Sequence, residues 1–130
     1  MYALDTNTLI YFFKAAGRVG DRLLSVPPSE VSIPSVVLYE LEVGIMESQQ
    51  PARRRLQLEA LLATITVLPF DRNAAARAAE LGAGLRKIGA SIGPMDTLIA
   101  GTALAHGATL VTHNLAEFRR VRGLNVVDWF

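Results

Sequence analysis

Asp5, Glu40, Asp96 and Asn114 each place a polar or charged group where the neighbouring sequence is apolar. Asp5 follows the short apolar start Met1-Tyr2-Ala3-Leu4. Glu40 lies in Val36-Val37-Leu38-Tyr39-Glu40-Leu41, Asp96 in Gly93-Pro94-Met95-Asp96-Thr97-Leu98-Ile99, and Asn114 after Leu110-Val111-Thr112-His113. A carboxylate among apolar neighbours is costly unless it is paired, hydrogen-bonded or bound to a metal. The chain has no cysteine and no histidine pair at ligand spacing, so three carboxylates and an amide suit a hard cation with oxygen ligands. That description fits Mg²⁺ or Mn²⁺ and not zinc. Such a centre orients and polarises a phosphodiester and lowers the pKa of an attacking water. Each residue also has a plainer role open to it. Asp5 is a natural helix N-cap, Asp96 sits at the positive end of a helix dipole, Glu40 resembles its surface neighbours Glu42 and Glu47, and Asn114 is a loop amide.

For the four groups to act together, the fold must bring them to one place. Short β-branched runs at residues 2–4, 30–33, 65–68, 109–112 and 125–127 read as strands covered on both faces. Helical patterns fill the gaps: residues 6–16, a shorter stretch at 18–25, a helix opened by Pro34 with Gly44 near its end, and one from Pro51 to about residue 63. Asp71 caps a long alanine-rich helix running towards Gly89, and Pro94 opens another that stops at His106-Gly107. This alternation predicts a three-layer α/β/α sandwich with a mainly parallel central sheet, formed as a single domain over residues 1–130. Ligand sites in open parallel sheets form at the carboxyl ends of strands. Asp5 and Asn114 follow strands, while Glu40 and Asp96 lie near helix starts, so all four can face one crevice. Gly82-Ala83-Gly84 falls inside a helix and is not a dinucleotide loop.

Bulk composition narrows the class further. Hydrophobic residues make up 51% of the 130 and mean hydropathy is +0.30, which excludes a disordered chain. No apolar stretch approaches the ~18 residues of a membrane span, and the start lacks the basic region of a signal peptide, so a cytoplasmic location is expected. A net charge of +1 argues against a bulk polyanion binder. Eleven of the thirteen basic residues are arginine, clustered at Arg53-Arg54-Arg55, at Arg72 with Arg77, and at Arg119, Arg120 and Arg122. Arginine's fork suits phosphate, and the alternative is a set of solvated helix faces.

The segments Leu4-Asp5-Thr6-Asn7, Ser35 to Leu41, Gly93 to Ala100, and Leu110 to Asn114 with Phe118 resemble the PIN domain. More narrowly, they resemble the VapC toxins of toxin–antitoxin systems, over the whole chain. The resemblance implies a Mg²⁺- or Mn²⁺-dependent endoribonuclease in which Asp5, Glu40 and Asp96 occupy the acidic metal-binding positions, Glu40 directly or through water. Asn114 falls on a fourth position that is Asp or Asn, and Glu117, three residues on, could restore the missing charge through water. His113 beside it reads as a bystander. Thr6, Asn7, Ser35 and Thr112 match the small polar residues that brace the carboxylates. The resemblance further implies a homodimer, a VapB-like antitoxin as partner, and structured RNA as substrate, with the tRNA anticodon loop as the favoured target.

Two other readings compete. A non-catalytic PIN-like module that binds RNA or a partner is favoured by the neutral Asn114. A phosphoacceptor or phosphatase domain would need a second acid near Asp5 and a late lysine, and only Lys14 and Lys87 are present.

Overall fold

The computed structural model describes residues 1–130, folded around one five-stranded sheet in the order β3-β2-β1-β4-β5. The strands are β1 (Tyr2–Leu4), β2 (Val31–Pro34), β3 (Thr66–Leu68), β4 (Thr109–Val111) and β5 (Val126–Val127), and every pairing is parallel. The helices are α1 (Thr6–Phe13), α2 (Val19–Leu24), α3 (Ser35–Met46), α4 (Pro51–Leu62), α5 (Arg72–Lys87), α6 (Pro94–Ala105) and α7 (Leu115–Phe118). The right-handed crossovers usual for parallel strands place α1–α4 on one face and α5–α7 on the other. Helix α1 packs against α2 and α3, α3 against α4, and α5 against α6, while α3 and α6 also meet, which brings the helices of Glu40 and Asp96 together. The α/β/α sandwich expected from the sequence is the fold, and its sheet is wholly parallel.

Local chemistry explains most boundaries. Asp5 and Asp71 cap α1 and α5 by accepting from the backbone N–H of Thr8 and Ala74, both at 2.9 Å. Pro51 and Pro94 sit in the first turns of α4 and α6. Helix α1 ends at Phe13 rather than residue 16, because the chain turns through left-handed backbone at Ala15 (φ 53°) and Gly17 (φ 61°). Helix α3 continues past Gly44, whose missing side chain faces open space, to Met46. Two elements have too few residues for any periodicity: the four-residue α7, which buries Phe118, and a 3₁₀ turn at Pro28–Glu30.

The core is continuous across the sheet. All four residues of β2 are buried, and Leu4, Leu9, Ile33, Val37, Leu58, Ile99 and Leu110 are closed from solvent. Helices α5 and α6 cross where Gly101 meets Ala78: a Cβ at Gly101 would stand 2.5 Å from the Ala78 Cβ and 2.7 Å from its Cα. This close approach sets how deeply α6, which carries Asp96, is pressed against the sheet. Strand order reverses between β1 and β4, and at such a switch point the carboxyl ends of neighbouring strands open a crevice.

Candidate active site

Strands β1 and β4 deliver their next residues, Asp5 and Thr112, side by side at that crevice: Asp5 N–H donates to the Val111 carbonyl at 3.1 Å. Asp5 is 5% exposed. Burial pushes its carboxyl above the ordinary aspartate value, against hydrogen bonds from the Thr112 hydroxyl and from Thr8. The N-cap role and the buried-acid role therefore coexist in one side chain. Thr112 has a second task, since its hydroxyl oxygen accepts the Asn114 backbone N–H at 3.0 Å and fixes the turn out of β4.

Glu40, on α3, accepts a 2.6 Å hydrogen bond from the Thr6 hydroxyl in the first turn of α1. Asp96, in the first turn of α6, is half-buried, and its carboxyl is pushed up to about 7. Burial is the largest cause, followed by the Glu117 carboxylate, a hydrogen bond shared with Glu117, and the charges of Asp5 and Glu40. Asp96 thus feels all three other acids. Glu117 moves the opposite way: the Gly93 backbone N–H, donating at 3.0 Å, and the Asn114 side-chain amide hold it below the usual glutamate value. The two carboxylates are thus pushed in opposite directions, Asp96 towards its neutral form and Glu117 towards its charged one.

The fourth acidic member is accordingly Glu117. Asn114 is exposed and directs its amide N–H at the Glu117 carboxylate. The sequence offers Glu117 only as a water-mediated substitute; the signal is its three-residue spacing from Asn114, which places both on one turn of α7. Of the expected braces, Thr6 and Thr112 bond to the acids. Ser35 instead accepts from the Phe70 backbone N–H at 3.0 Å, tying α3 to the chain leaving β3, and Asn7 is exposed with no hydrogen bond to the acids. His113 pairs with Asp128 at 2.8 Å and stacks on Phe130 with ring centroids 4.4 Å apart. Asp128 adds a further negative charge felt by Asp5.

Asp5, Glu40, Asp96 and Glu117 offer carboxylate oxygens alone, a donor set suited to Mg²⁺ or Mn²⁺. No three acids stand round one point at ligand distance, and the mutual repulsion of the carboxylates favours a neutral form of Asp96. An α/β/α sandwich with a carboxylate cluster at its switch point is the class these features define.

The PIN domain family model matches residues 2–124. The tRNA(fMet)-specific endonuclease VapC of Salmonella typhimurium is 34% identical over 128 residues, covering 98% of this chain and 97% of that protein. Ribonuclease VapC2 of Rickettsia felis is 33% identical over 131 residues, covering 99% and 98%. The crystal structure of VapBC2 from Rickettsia felis, bound to a DNA fragment from its promoter, superposes with a TM-score of 0.92 at 31% identity, over 99% of this chain and 98% of that one. The DNA-bound VapBC of Salmonella typhimurium gives 0.92 at 35%, with the same coverage. The chain belongs to the PIN-domain family, among its VapC members.

Proposed function

We propose that the protein is the ribonuclease toxin of a toxin–antitoxin pair, and that it hydrolyses RNA phosphodiester bonds with Mg²⁺ or Mn²⁺. The observation that carries the reading is the meeting of Asp5, Glu40, Asp96 and Glu117 at one crevice, with Asp5 beside the end of β4, Glu40 held by Thr6 next to Asp5, and Glu117 bonded to the Gly93 N–H at the start of the helix that carries Asp96. Four acids at one crevice repel each other and an RNA backbone alike, and a divalent cation removes both penalties. When bound, Mg²⁺ or Mn²⁺ supplies Lewis-acid polarisation of the phosphoryl group and a lowered pKa for the attacking water. Asp5, Glu40, Asp96 and Glu117 would hold it. Asn114 keeps Glu117 in place, and Thr6 and Thr112 orient Glu40 and Asp5.

The substrate is tRNA, supported by the Salmonella typhimurium relative named tRNA(fMet)-specific endonuclease, and we place the cut in its anticodon loop. A single-stranded loop presents the splayed backbone that such a crevice can receive. The partner is a VapB-like antitoxin, in keeping with the VapBC complexes that this fold matches. Two apolar cavities support it. One, of about 540 Å³, is lined by Phe12, Leu23, Val26, Leu61 and Ile65. The other, of about 180 Å³, is lined by Ile10, Phe13 and Leu58 and reaches Glu40. Exposed Tyr39, Val43 and Met46 lie on one face of α3 at helical spacing, as a homodimer interface requires. The non-catalytic alternative rested on neutral Asn114, and the neighbouring Glu117 offsets it.

Brief induction in cells, followed by mapping of new RNA 5′ ends, tests the reading. The expected result is a discrete site in one tRNA, absent with Asp5→Asn. Unchanged RNA together with unimpaired growth would overturn it.

A further inference from the structure

The arginines divide into two groups once their surroundings are known. Arg55 is committed to Glu42 through two 2.6 Å hydrogen bonds, and Arg54 donates to Gln57. On the other face of the sheet, Arg77 of α5 joins Arg120 and Arg122, from the turn after α7, in lining a cavity of about 380 Å³. Glu80 is the one acid on its wall; it comes within 4.0 Å of Arg77 with its side chain 77% exposed. A second cavity of about 200 Å³ shares Leu85 with the first and is lined by Arg86, Ser91, Pro94 and Thr97. Arg120, on the wall of the first cavity, donates at 3.2 Å to the carbonyl of Ser91, on the wall of the second. Pro94 and Thr97 flank Asp96. A concave basic strip thus begins at the acidic crevice and leads away along α5.

Gathering guanidinium groups in a concavity with one exposed carboxylate is unfavourable unless an anion shares the space, and the concave shape concentrates their field. The forked guanidinium matches phosphate oxygens in pairs. We propose that this strip is a phosphate track holding the RNA strand on one side of the scissile bond, with Arg77, Arg86 and Arg122 on its backbone phosphates. The inference rests on the ribonuclease reading above and adds the path of the substrate.

Salt dependence tests it. A fluorescein-labelled single-stranded RNA is titrated with the full chain in EDTA at a series of KCl concentrations, and the slope of log K against log[KCl] is read by anisotropy. On a single strand, each phosphate contact contributes about 0.7 to the slope. The double variant Arg77→Gln/Arg122→Gln should therefore lower it by about 1.4, while exposed Arg53→Gln on α4 leaves it unchanged. With Mn²⁺ present, the double variant raises KM and leaves kcat in place. A double variant that keeps the wild-type slope overturns the track, as does an equal fall in Arg53→Gln. A change in sedimentation with an unaltered slope also overturns it, and identifies the strip as a protein-binding surface. Wild-type binding with the expected slopes but no cleavage of any RNA would retain the track and remove the ribonuclease reading. Cleavage with an unaltered slope would remove the track alone.

Discussion

Glu117 and Asn114 exchange the roles that their residue types first suggest. By sequence position the amide is the fourth site group, yet its side chain donates to Glu117, whose carboxylate meets Asp96. The expected consequence is unequal sensitivity. Glu117→Gln removes a charged donor and should abolish cleavage at ordinary Mn²⁺ concentrations. Asn114→Ala leaves Glu117 its Gly93 N–H and should cost about 10–100-fold, the usual range for a residue that only supports a metal ligand. Single-turnover cleavage with Mn²⁺ titration measures both, and equal losses would contradict the exchange. Asp5, Glu40 and Asp96 were readable in the sequence because each is a carboxylate in apolar company. Glu117 was readable only as a water-mediated substitute three residues from Asn114, because Leu115-Ala116-Glu117-Phe118 looks like any amphipathic turn. Its importance comes from a hydrogen bond to Gly93, 24 residues away.

At the level of elements, the α5–α6 crossing positions Asp96. Gly101→Ala places a methyl group against Ala78 backbone at van der Waals overlap. Overpacking of this kind costs about 1–3 kcal/mol. Asp71→Ala removes only the cap of α5, at about 1 kcal/mol. Urea denaturation should therefore rank Gly101→Ala as the more damaging, and cleavage should fall with it at temperatures where Asp71→Ala is still active. The strands and long helices were predictable from short β-branched runs, proline starts and aspartate caps, all of them local signals. What escaped were features set by distant parts of the chain: α7, whose Phe118 is buried in the core, and the early stop of α1, enforced by a turn packed against Phe130.

For the molecule as a whole, the acid cluster links stability to pH and to metal. The folded-state pKa of Asp96, about 7, lies above its ordinary 3.8. Below pH 3.8 the group is protonated in both states and contributes nothing. As pH rises towards 7 the unfolded chain releases the proton first, so this group lowers metal-free stability until it ionises in the folded state as well. Asp5, also raised, acts in the same direction, and Glu117, lowered, acts in the opposite one. Thermal melts in EDTA should show Asp96→Asn gaining on the wild type as pH rises from 5, with a gap that widens up to about pH 7 and then levels off. Mn²⁺ should raise the wild-type Tm, more at pH 8 than at pH 5.5, because it binds the ionised cluster of the folded state. The central claim is that this carboxylate cluster cuts RNA with a divalent metal. The direct measurement is incubation of the purified chain with tRNA, with Mn²⁺ and with EDTA, alongside Asp5→Asn. Discrete fragments in Mn²⁺ that vanish in EDTA and with the variant are the predicted result; fragments persisting in either, or none in Mn²⁺, would contradict it.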